Sequence, residues 1–220
     1  MGMYVYIDGF NFYHGAVKNT TFKWLNLQEV CHKLFPKHDI DLIRFFTARV
    51  IGFDHDPQAP DRQDVYIRAL GTLSKFQIHD EGWFARHATL YPQYPLAYRP
   101  ANQKPPRRPP QFVQVQRIEE KRTDVDIATY LLVDCFLNHF DEAVVISNDG
   151  DLALPIEMVR DQFQKAITVV NPHHRSKMSS GLRKASSKQV WTINKKILAT
   201  SQFASPMTDA KGSFTKPSSW

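Results

Sequence analysis

Short runs of apolar residues alternate along the chain with stretches in which apolar residues recur at helical spacing. The first run, from Met3 to Ile7, is rich in aromatic and β-branched residues and predicts a buried strand that ends at Asp8. The next predicted elements are a helix at 25–35, a strand at 40–50, a helix at 62–75, and a strand or hairpin at 76–91.

The second half of the chain continues this alternation. Its predicted elements are a strand at 112–115, a helix at 123–138, a strand at 143–146, a helix at 151–160, a strand at 166–170, and short elements near 182, 190–192 and 194. Strands that alternate with helices predict an α/β fold with a mostly parallel central sheet.

A proline-rich segment interrupts this pattern. Residues 92–110 hold seven of the 14 prolines together with basic residues, among them Arg107 and Arg108. We predict a long loop inserted into one domain that covers residues 1–200. Residues 201–220 are rich in Ser and Lys and predict a disordered basic tail.

The positive charge is concentrated at one end of the sequence. The chain has 28 Lys and Arg against 22 Asp and Glu, and residues 171–220 contain nine of the basic residues but a single acidic one. A basic end beside a near-neutral body suits a protein that gathers carboxylates at a site and attracts phosphates next to it. A basic segment that merely keeps the protein in solution is the alternative.

Composition narrows the class of protein further. With 220 residues, 42% of them apolar, the chain can bury a core, and its apolar runs are too short to span a bilayer. Its two cysteines, Cys31 and Cys135, have no metal-like spacing and form no disulfide framework, which suits a reducing compartment. We expect a cytoplasmic protein without a membrane partner, and the residues leave open whether it forms a homodimer.

Acidic residues occupy the positions where an α/β sheet places its ligands. Asp8 and the segment 147–151 directly follow predicted strands, and a further acidic pair opens the helix that begins at Thr123. In an open parallel sheet, ligands bind beyond the carboxyl ends of the strands. We therefore expect up to five carboxylates to meet there: Asp8, Asp124, Asp126, Asp149 and Asp151.

Such a cluster requires a cation. Two carboxylates about 4 Å apart repel by roughly 4 kcal/mol at an effective dielectric constant near 20. A ligand set made only of oxygen atoms favours Mg²⁺ or Mn²⁺ over Zn²⁺. The chemistry that suits this site is phosphoryl transfer, in which the ion lowers the pKa of an attacking water and neutralises the leaving oxygen. Each motif alone has a structural explanation, as a turn or a helix cap.

Three motifs in this order resemble the NYN domain, the LabA-like branch of the PIN-like nucleases. They are a strand followed by Asp8-x-x-Asn11, the sequence Lys121-x-x-Asp124-Val125-Asp126, and a strand followed by Ser147-x-Asp149-x-Asp151. The resemblance covers about residues 1–200 and implies a Rossmann-like three-layer α/β sandwich. It also implies a metal-dependent ribonuclease that leaves 5′-phosphate and 3′-hydroxyl ends.

The resemblance also implies roles for individual residues. Asp8, Asp124, Asp149 and Asp151 are similar to the catalytic metal ligands, and the supporting residues are Asn11, Lys121, Asp126, Ser147 and Asn148. The chain departs from the family at two positions, because Arg122 and Asn148 stand where the family usually has glycine.

Contact with RNA would draw on basic side chains independently of the resemblance. Lys and Arg bind phosphates with release of counterions, and the candidates are Arg107, Arg108, Arg175, Lys177, Arg183 and Lys184.

Several functions fit these motifs to different degrees. The first is the ribonuclease, and the alternative is a catalytically weak or inactive RNA-binding module of the same fold. A phosphatase with an aspartyl nucleophile would need an Asp where Phe10 stands. A sugar-nucleotide transferase built on Asp149 and Asp151 leaves Asp8 and the Lys121 motif unexplained.

Overall fold

The computed structural model describes residues 2–53, 56–90, 113–188 and 191–220. Its central sheet has the strand order β4-β3-β2-β1-β5-β6-β7. These strands are β1 (Met3–Asp8), β2 (Ile40–Ala48), β3 (Phe76–Leu90), β4 (Val113–Lys121), β5 (Glu142–Ile146), β6 (Ala166–Asn171) and β7 (Trp191–Thr192). All neighbouring pairs are parallel except β3 and β4, which are antiparallel. The predicted mostly parallel α/β sheet is confirmed.

Helices cover both faces of this sheet. They are α1 (Gly9–Phe12), α2 (Leu27–Leu34), α3 (Ala59–Leu70), α4 (Thr123–Phe136), α5 (Ala153–Asp161), α6 (Ser180–Ala185) and α7 (Lys195–Thr200). One core contains Val5 and Ile7 with side chains of α2, α3 and α7. The other contains Tyr6 with side chains of α4, α5 and α6. Because successive side chains of a strand point to opposite faces, β1 separates the two cores and the sandwich has three layers.

The central strands are buried on both faces. Val5, Tyr6 and Ile7 are at most 1% exposed, and so are all four residues of β5 from Ala143 to Ile146. A strand covered by helices on both sides reads as a continuous apolar run, which is why these two strands were predictable from sequence.

The segment 201–220 is folded, so the predicted disordered tail is wrong. It contains an antiparallel hairpin of β8 (Met207–Asp209) and β9 (Gly212–Phe214). The hairpin is fixed to α3 by Arg68, which donates to both carboxylate oxygens of Asp209 at 2.6 and 2.8 Å. Aromatic side chains also pack this segment onto the rest of the protein, because Trp24, 1% exposed, lies against Phe214 and Trp220.

The predicted insertion at 92–110 lies outside the described residues. Among the helices that are described, none is both long and apolar enough to cross a bilayer.

Candidate active site

The ends of β1 and β5 bring two of the predicted motifs together. These strands are parallel neighbours, and Ile7 is aligned with Ile146. The next residues, Asp8 and Ser147, therefore leave the sheet side by side at its carboxyl edge, the expected position of a ligand site.

Asp8 is held by two hydrogen bonds on opposite carboxylate oxygens. The backbone N–H of Asn11 donates to Oδ1 at 2.9 Å, which makes Asp8 the N-cap of α1. The Ser147 hydroxyl donates to Oδ2 at 2.8 Å. Asp8 is only 4% exposed, so these bonds fix its carboxylate in one orientation inside the protein.

The loop after β5 is stabilised by its own side chains. The N–H of Asp149 donates to the Ser147 hydroxyl at 3.0 Å, and the N–H of Asp151 donates to Oδ1 of Asp149 at 3.0 Å. The N–H of Asn148 donates to Oδ1 of Asn11 at 2.9 Å. The loop that carries two acidic side chains is thus bonded directly to the helix that follows Asp8.

Asn148 also connects this loop to the basic part of the chain. Its amide nitrogen donates to the Lys177 carbonyl at 2.7 Å, and its amide oxygen accepts from the N–H of Ser179 at 2.8 Å. An amide side chain makes both bonds at once, which glycine could not do. The departure from the family glycine therefore adds a link between the acidic loop and residues 177–179.

A further acidic residue, Glu120, is influenced by the charges of Asp8, Asp124 and Asp149. It stands near the end of β4, and the hydroxyl of Thr123, the first residue of α4, donates to its carboxylate. The next residue of α4 is Asp124. The antiparallel pairing of Trp83 with Lys121 places this strand end beside β3 and directs α4 toward the carboxyl edge of the sheet.

Burial and neighbouring charges raise the pKa of three carboxyl groups at this edge of the sheet. Burial raises the pKa of Asp8 to about 7, with the charges of Asp124 and Asp149 adding to it and the bonds from Asn11 and Ser147 opposing it. Each of these charges favours protonation of its neighbours.

The same causes raise the pKa of two further carboxyls beside Asp8. Burial, with the charges of Asp8, Asp124 and Asp149, raises the pKa of Glu120 to about 7 against the bond from Thr123. Burial, with the charges of Asp149 and Asp151, raises the pKa of Asp124 to about 6. We call the three carboxyls with a raised pKa, together with the two aspartates whose charges contribute to that rise, the acidic cluster: Asp8, Glu120, Asp124, Asp149 and Asp151.

The donor chemistry of the acidic cluster fits a hard divalent cation. In the described part of the chain, no three His, Cys, Asp or Glu side chains are arranged to hold a metal ion among themselves. Mg²⁺ keeps several waters and is usually bound through one or two carboxylates together with substrate phosphates. The oxygen donors match this mode of binding, and the complete ligand set stays a prediction.

Two predicted supporting residues have other partners. Asp126 forms an ion pair at 2.9 Å with Arg122, the N-cap residue of α4, and its charge is not among those that raise the pKa of the cluster carboxyls. Lys121 forms an ion pair with Glu119 at 2.8 Å. Glu120 therefore joins the predicted acidic residues at this edge, and the role of Asp126 stays a prediction.

The predicted RNA-binding residues divide into three groups. Lys177 belongs to the segment bonded to Asn148, beside the acidic loop. Arg183 and Lys184 lie in the last turn of α6, which begins at Ser180 near that loop. The side chain of Arg175 and all of Arg107 and Arg108 lie outside what the structure describes.

The sequence carried no clear signal for Glu120. The apolar alternation of Val113 and Val115 stops at Arg117 and Glu119, so nothing in the pattern indicated that the strand continues. The observed strand runs on to Lys121, which places Glu120 at a strand end like the other acids.

Comparisons with known proteins give one matching family and a relative that aligns with nearly the whole chain. Residues 2–194 match the NYN domain. The 6-hydroxy-3-succinoylpyridine 3-monooxygenase HspA of Pseudomonas putida is 29% identical over 245 aligned positions, which cover 98% of this chain and 74% of that protein.

A solved structure shows a similar fold. It is the crystal structure of a protein of unknown function from Vibrio parahaemolyticus, with a TM-score of 0.51 and 14% sequence identity. The alignment covers 88% of this chain and 94% of that chain. At this identity the likeness extends to the fold alone.

Proposed function

Because the chain belongs to the NYN domain family, a family of nuclease type, we propose that it is a metal-dependent ribonuclease that hydrolyses RNA at the acidic cluster. The observation that carries the proposal is that the Ser147 hydroxyl joins the carboxylate of Asp8 to the backbone of Asp149 at the carboxyl edge of the sheet. A buried carboxyl such as Asp8 with further carboxyls beside it is unfavourable for the fold on its own, and a bound cation offsets this cost.

The cation in this proposal is Mg²⁺ or Mn²⁺, which one or two carboxylates of the acidic cluster would hold together with waters and a substrate phosphate. The candidate ligands are Asp8, Asp124, Asp149 and Asp151, with Glu120 in addition. When bound, the cation supplies a more acidic water and neutralises charge on the phosphate. The oxygen of water attacks phosphorus, the bond from phosphorus to the 3′ oxygen breaks, and the products carry a 5′-phosphate and a 3′-hydroxyl.

The chain's own residues hold this arrangement in place. Ser147 fixes one oxygen of Asp8 and accepts the N–H of Asp149, so a single hydroxyl sets the relative position of two carboxylates. The N–H of Asn148 donates to the side chain of Asn11 and so bonds the loop after β5 to α1. Lys177, adjacent to this network, would contact an RNA phosphate.

Oxygenation of a heteroaromatic ring is a second candidate function. It is the activity in the name of the Pseudomonas putida relative, whose alignment includes nearly the whole chain. The two functions differ in what they consume, since hydrolysis needs water alone and a monooxygenase consumes O₂ and an electron donor.

Cleavage of end-labelled single-stranded RNA tests the proposal. The wild type should cut RNA with Mg²⁺ or Mn²⁺ and lose the activity in EDTA, and Asp149→Asn should lower the rate by at least about a hundredfold. Asp39→Asn, at a carboxylate that is 86% exposed and away from the cluster, should retain the wild-type rate.

Three results would count against the proposal. Equal rates for the wild type and Asp149→Asn would place the activity elsewhere. RNA binding without cleavage would favour the RNA-binding module, and O₂ uptake with a hydroxypyridine and a reduced nicotinamide would favour oxygenation.

A further inference from the structure

A cavity of about 180 Å³ lies next to the acidic cluster and has aromatic walls. We call it the ring pocket. Its walls include five aromatic side chains from separate parts of the chain: Phe10, Tyr13, Phe45, Tyr66 and Trp220. Pockets for drug-sized ligands measure about 300–1,000 Å³. The ring pocket is smaller and suits a single ring system.

The ring pocket is joined to the acidic cluster through the backbone. Gly9 and Phe10, the two residues after Asp8, both line it. On the neighbouring strand, Phe46 is aligned with Asp8, and the next residue, Thr47, is also a lining residue. The cavity and the carboxylates therefore share one edge of the sheet, with the cavity on the side of α3.

Gly9 keeps the two sites at a fixed separation. A Cβ atom at this position would lie 2.7 Å from the Phe45 ring and 2.7 Å from the Phe46 carbonyl oxygen. The turn that carries Asp8 thus packs directly on a wall of the ring pocket.

Flat apolar walls recognise flat ligands. Nucleobases stack on aromatic side chains, and this contact is the usual way in which unpaired bases are bound by proteins. Tyr13 is 36% exposed, so the ring pocket has an aromatic side chain at its opening that a strand of RNA could reach.

The lining of the ring pocket also includes polar side chains. Arg62, 20% exposed, lines it and donates through Nη2 to Asp56. A guanidinium has five N–H donors, which match carbonyl oxygens on the edge of a base. The side-chain amide of Gln63, in contrast, is bonded to the backbone at both ends. It donates to the Ala48 carbonyl and accepts from the N–H of Val50, both at 2.8 Å.

We propose that the ring pocket binds one unpaired nucleobase of the RNA, with its faces against the aromatic walls and its polar edge toward Thr47 and Arg62. This assignment rests on the ribonuclease function proposed above and adds to it a means of selecting the base beside the cleaved bond. The acidic cluster would then bind the phosphate at the cleaved bond, and the ring pocket would bind the adjacent base.

Titration with mononucleotides tests the ring pocket without any cleavage. UMP and AMP are titrated in EDTA and followed by nuclear magnetic resonance, with ribose 5-phosphate as the probe that lacks a base. At least one nucleotide should bind ten times more tightly than ribose 5-phosphate. Ala59→Phe, which fills the cavity, should abolish this difference, and Ala199→Phe, at an exposed position of α7, should preserve it.

A second pair of variants covers the case in which Ala59→Phe does not fold. Tyr13→Leu should weaken nucleotide binding by about five- to tenfold because a stacking face is lost, and Tyr13→Phe should restore it. In RNA cleavage, Tyr13→Leu should raise KM and reduce the preference among bases more than it lowers kcat.

The outcomes separate the ring pocket from the nuclease function. Nucleotides that bind no better than ribose 5-phosphate, or equally well to Ala59→Phe, would overturn the assignment even if RNA is cleaved. Nucleotide binding that depends on Ala59 and Tyr13 in a protein without ribonuclease activity would support the ring pocket and remove the nuclease proposal. Tighter binding of 6-hydroxynicotinate than of every nucleotide would assign the ring pocket to a free heteroaromatic ring and overturn the nucleobase.

Discussion

Glu120 is the residue whose role follows from the structure and not from the motifs. Its carboxyl accepts from Thr123 and feels the charges of Asp8, Asp124 and Asp149. Glu120→Gln should therefore lower RNA cleavage by about ten- to a hundredfold, because a charged group of the cluster is replaced by a neutral one of the same shape. The measurement is the initial rate at saturating Mn²⁺.

The neighbouring residue provides a matched control. Glu119 forms an ion pair with Lys121 and contributes no charge to the shifted carboxyls. Glu119→Gln should keep a rate within about twofold of the wild type, since exposed ion pairs contribute little. Equal losses in both variants would show that the strand end is disturbed in general and would remove Glu120 from the site.

The buried carboxyl of Asp8 gives stability a specific dependence on pH. Its pKa is raised from 3.8 to about 7 on folding, so the folded protein binds the proton more tightly than the unfolded chain. The contribution to stability is complete below pH 3.8 and is lost as the pH rises through 7, by an amount on the order of 4 kcal/mol. In EDTA, the melting temperature should fall between pH 5 and pH 8.

Asp8→Asn should remove much of this pH dependence, because its side chain does not ionise. Adding Mg²⁺ to the wild type at pH 8 should raise the melting temperature again, since the ion binds the folded carboxylates only. A wild-type melting temperature that rises from pH 5 to pH 8 in EDTA would contradict the burial of an uncompensated carboxyl at Asp8.

At the scale of elements, the junction between β4 and α4, which positions Asp124, contains a strained backbone conformation at Arg122. Arg122 has φ 85° and ψ −34°, a conformation that favours glycine, and it stands at the position where the family usually has glycine. Gly82 allows this close approach, because a Cβ there would lie 2.8 Å from the Thr123 hydroxyl.

Arg122→Gly should therefore stabilise the protein. The strain of a residue with a side chain in such a region is about 1–3 kcal/mol, and the exposed ion pair with Asp126 that would be lost contributes less than about 1 kcal/mol. Thermal unfolding measures the difference, with Asp126→Asn as the control for the ion pair. A lower melting temperature in Arg122→Gly than in Asp126→Asn would show that the positive φ carries no strain.

At the scale of the whole molecule, residues 203–220, which include the β8–β9 hairpin, complete the core around Trp24. The indole N–H of Trp24 donates to the Ala204 carbonyl at 3.0 Å, and its ring lies among Phe203, Phe214 and Trp220. Removing residues 203–220 should lower stability by at least about 3 kcal/mol, or roughly 6–12 °C, because several large apolar side chains lose their contacts.

A charge variant distinguishes packing from solubility. Lys211→Gln combined with Lys216→Gln removes two positive charges of the segment and leaves its aromatic side chains unchanged. This variant should melt within about 2 °C of the wild type. A truncated chain that melts at the wild-type temperature would return residues 203–220 to the role of a solvated tail.

The central architecture was predictable because local pattern and tertiary structure agree in β1 and β5. These strands are buried on both faces and read as apolar runs, so the acids that follow them could be assigned to the carboxyl edge. Glu120 depends instead on how far β4 continues, which the pairing of Trp83 with Lys121 decides.

The folding of residues 201–220 could not be predicted for a related reason. Its few aromatic side chains have no regular spacing, and they become a core only against Trp24 and Tyr66 from distant parts of the sequence. Composition therefore indicated a solvated segment, and long-range packing overrides it.

The binding of Mn²⁺ tests the acidic cluster most directly. We predict that calorimetric titration of the wild type at pH 6.5 shows binding with release of protons, because the pKa values of Asp8 and Glu120 lie near 7, and that affinity increases up to pH 8. Asp149→Asn should bind at least tenfold more weakly, and Asp39→Asn should bind like the wild type. No uptake of Mn²⁺ by the wild type, with or without a nucleotide present, or equal uptake by Asp149→Asn, would contradict a cation site built from these carboxylates.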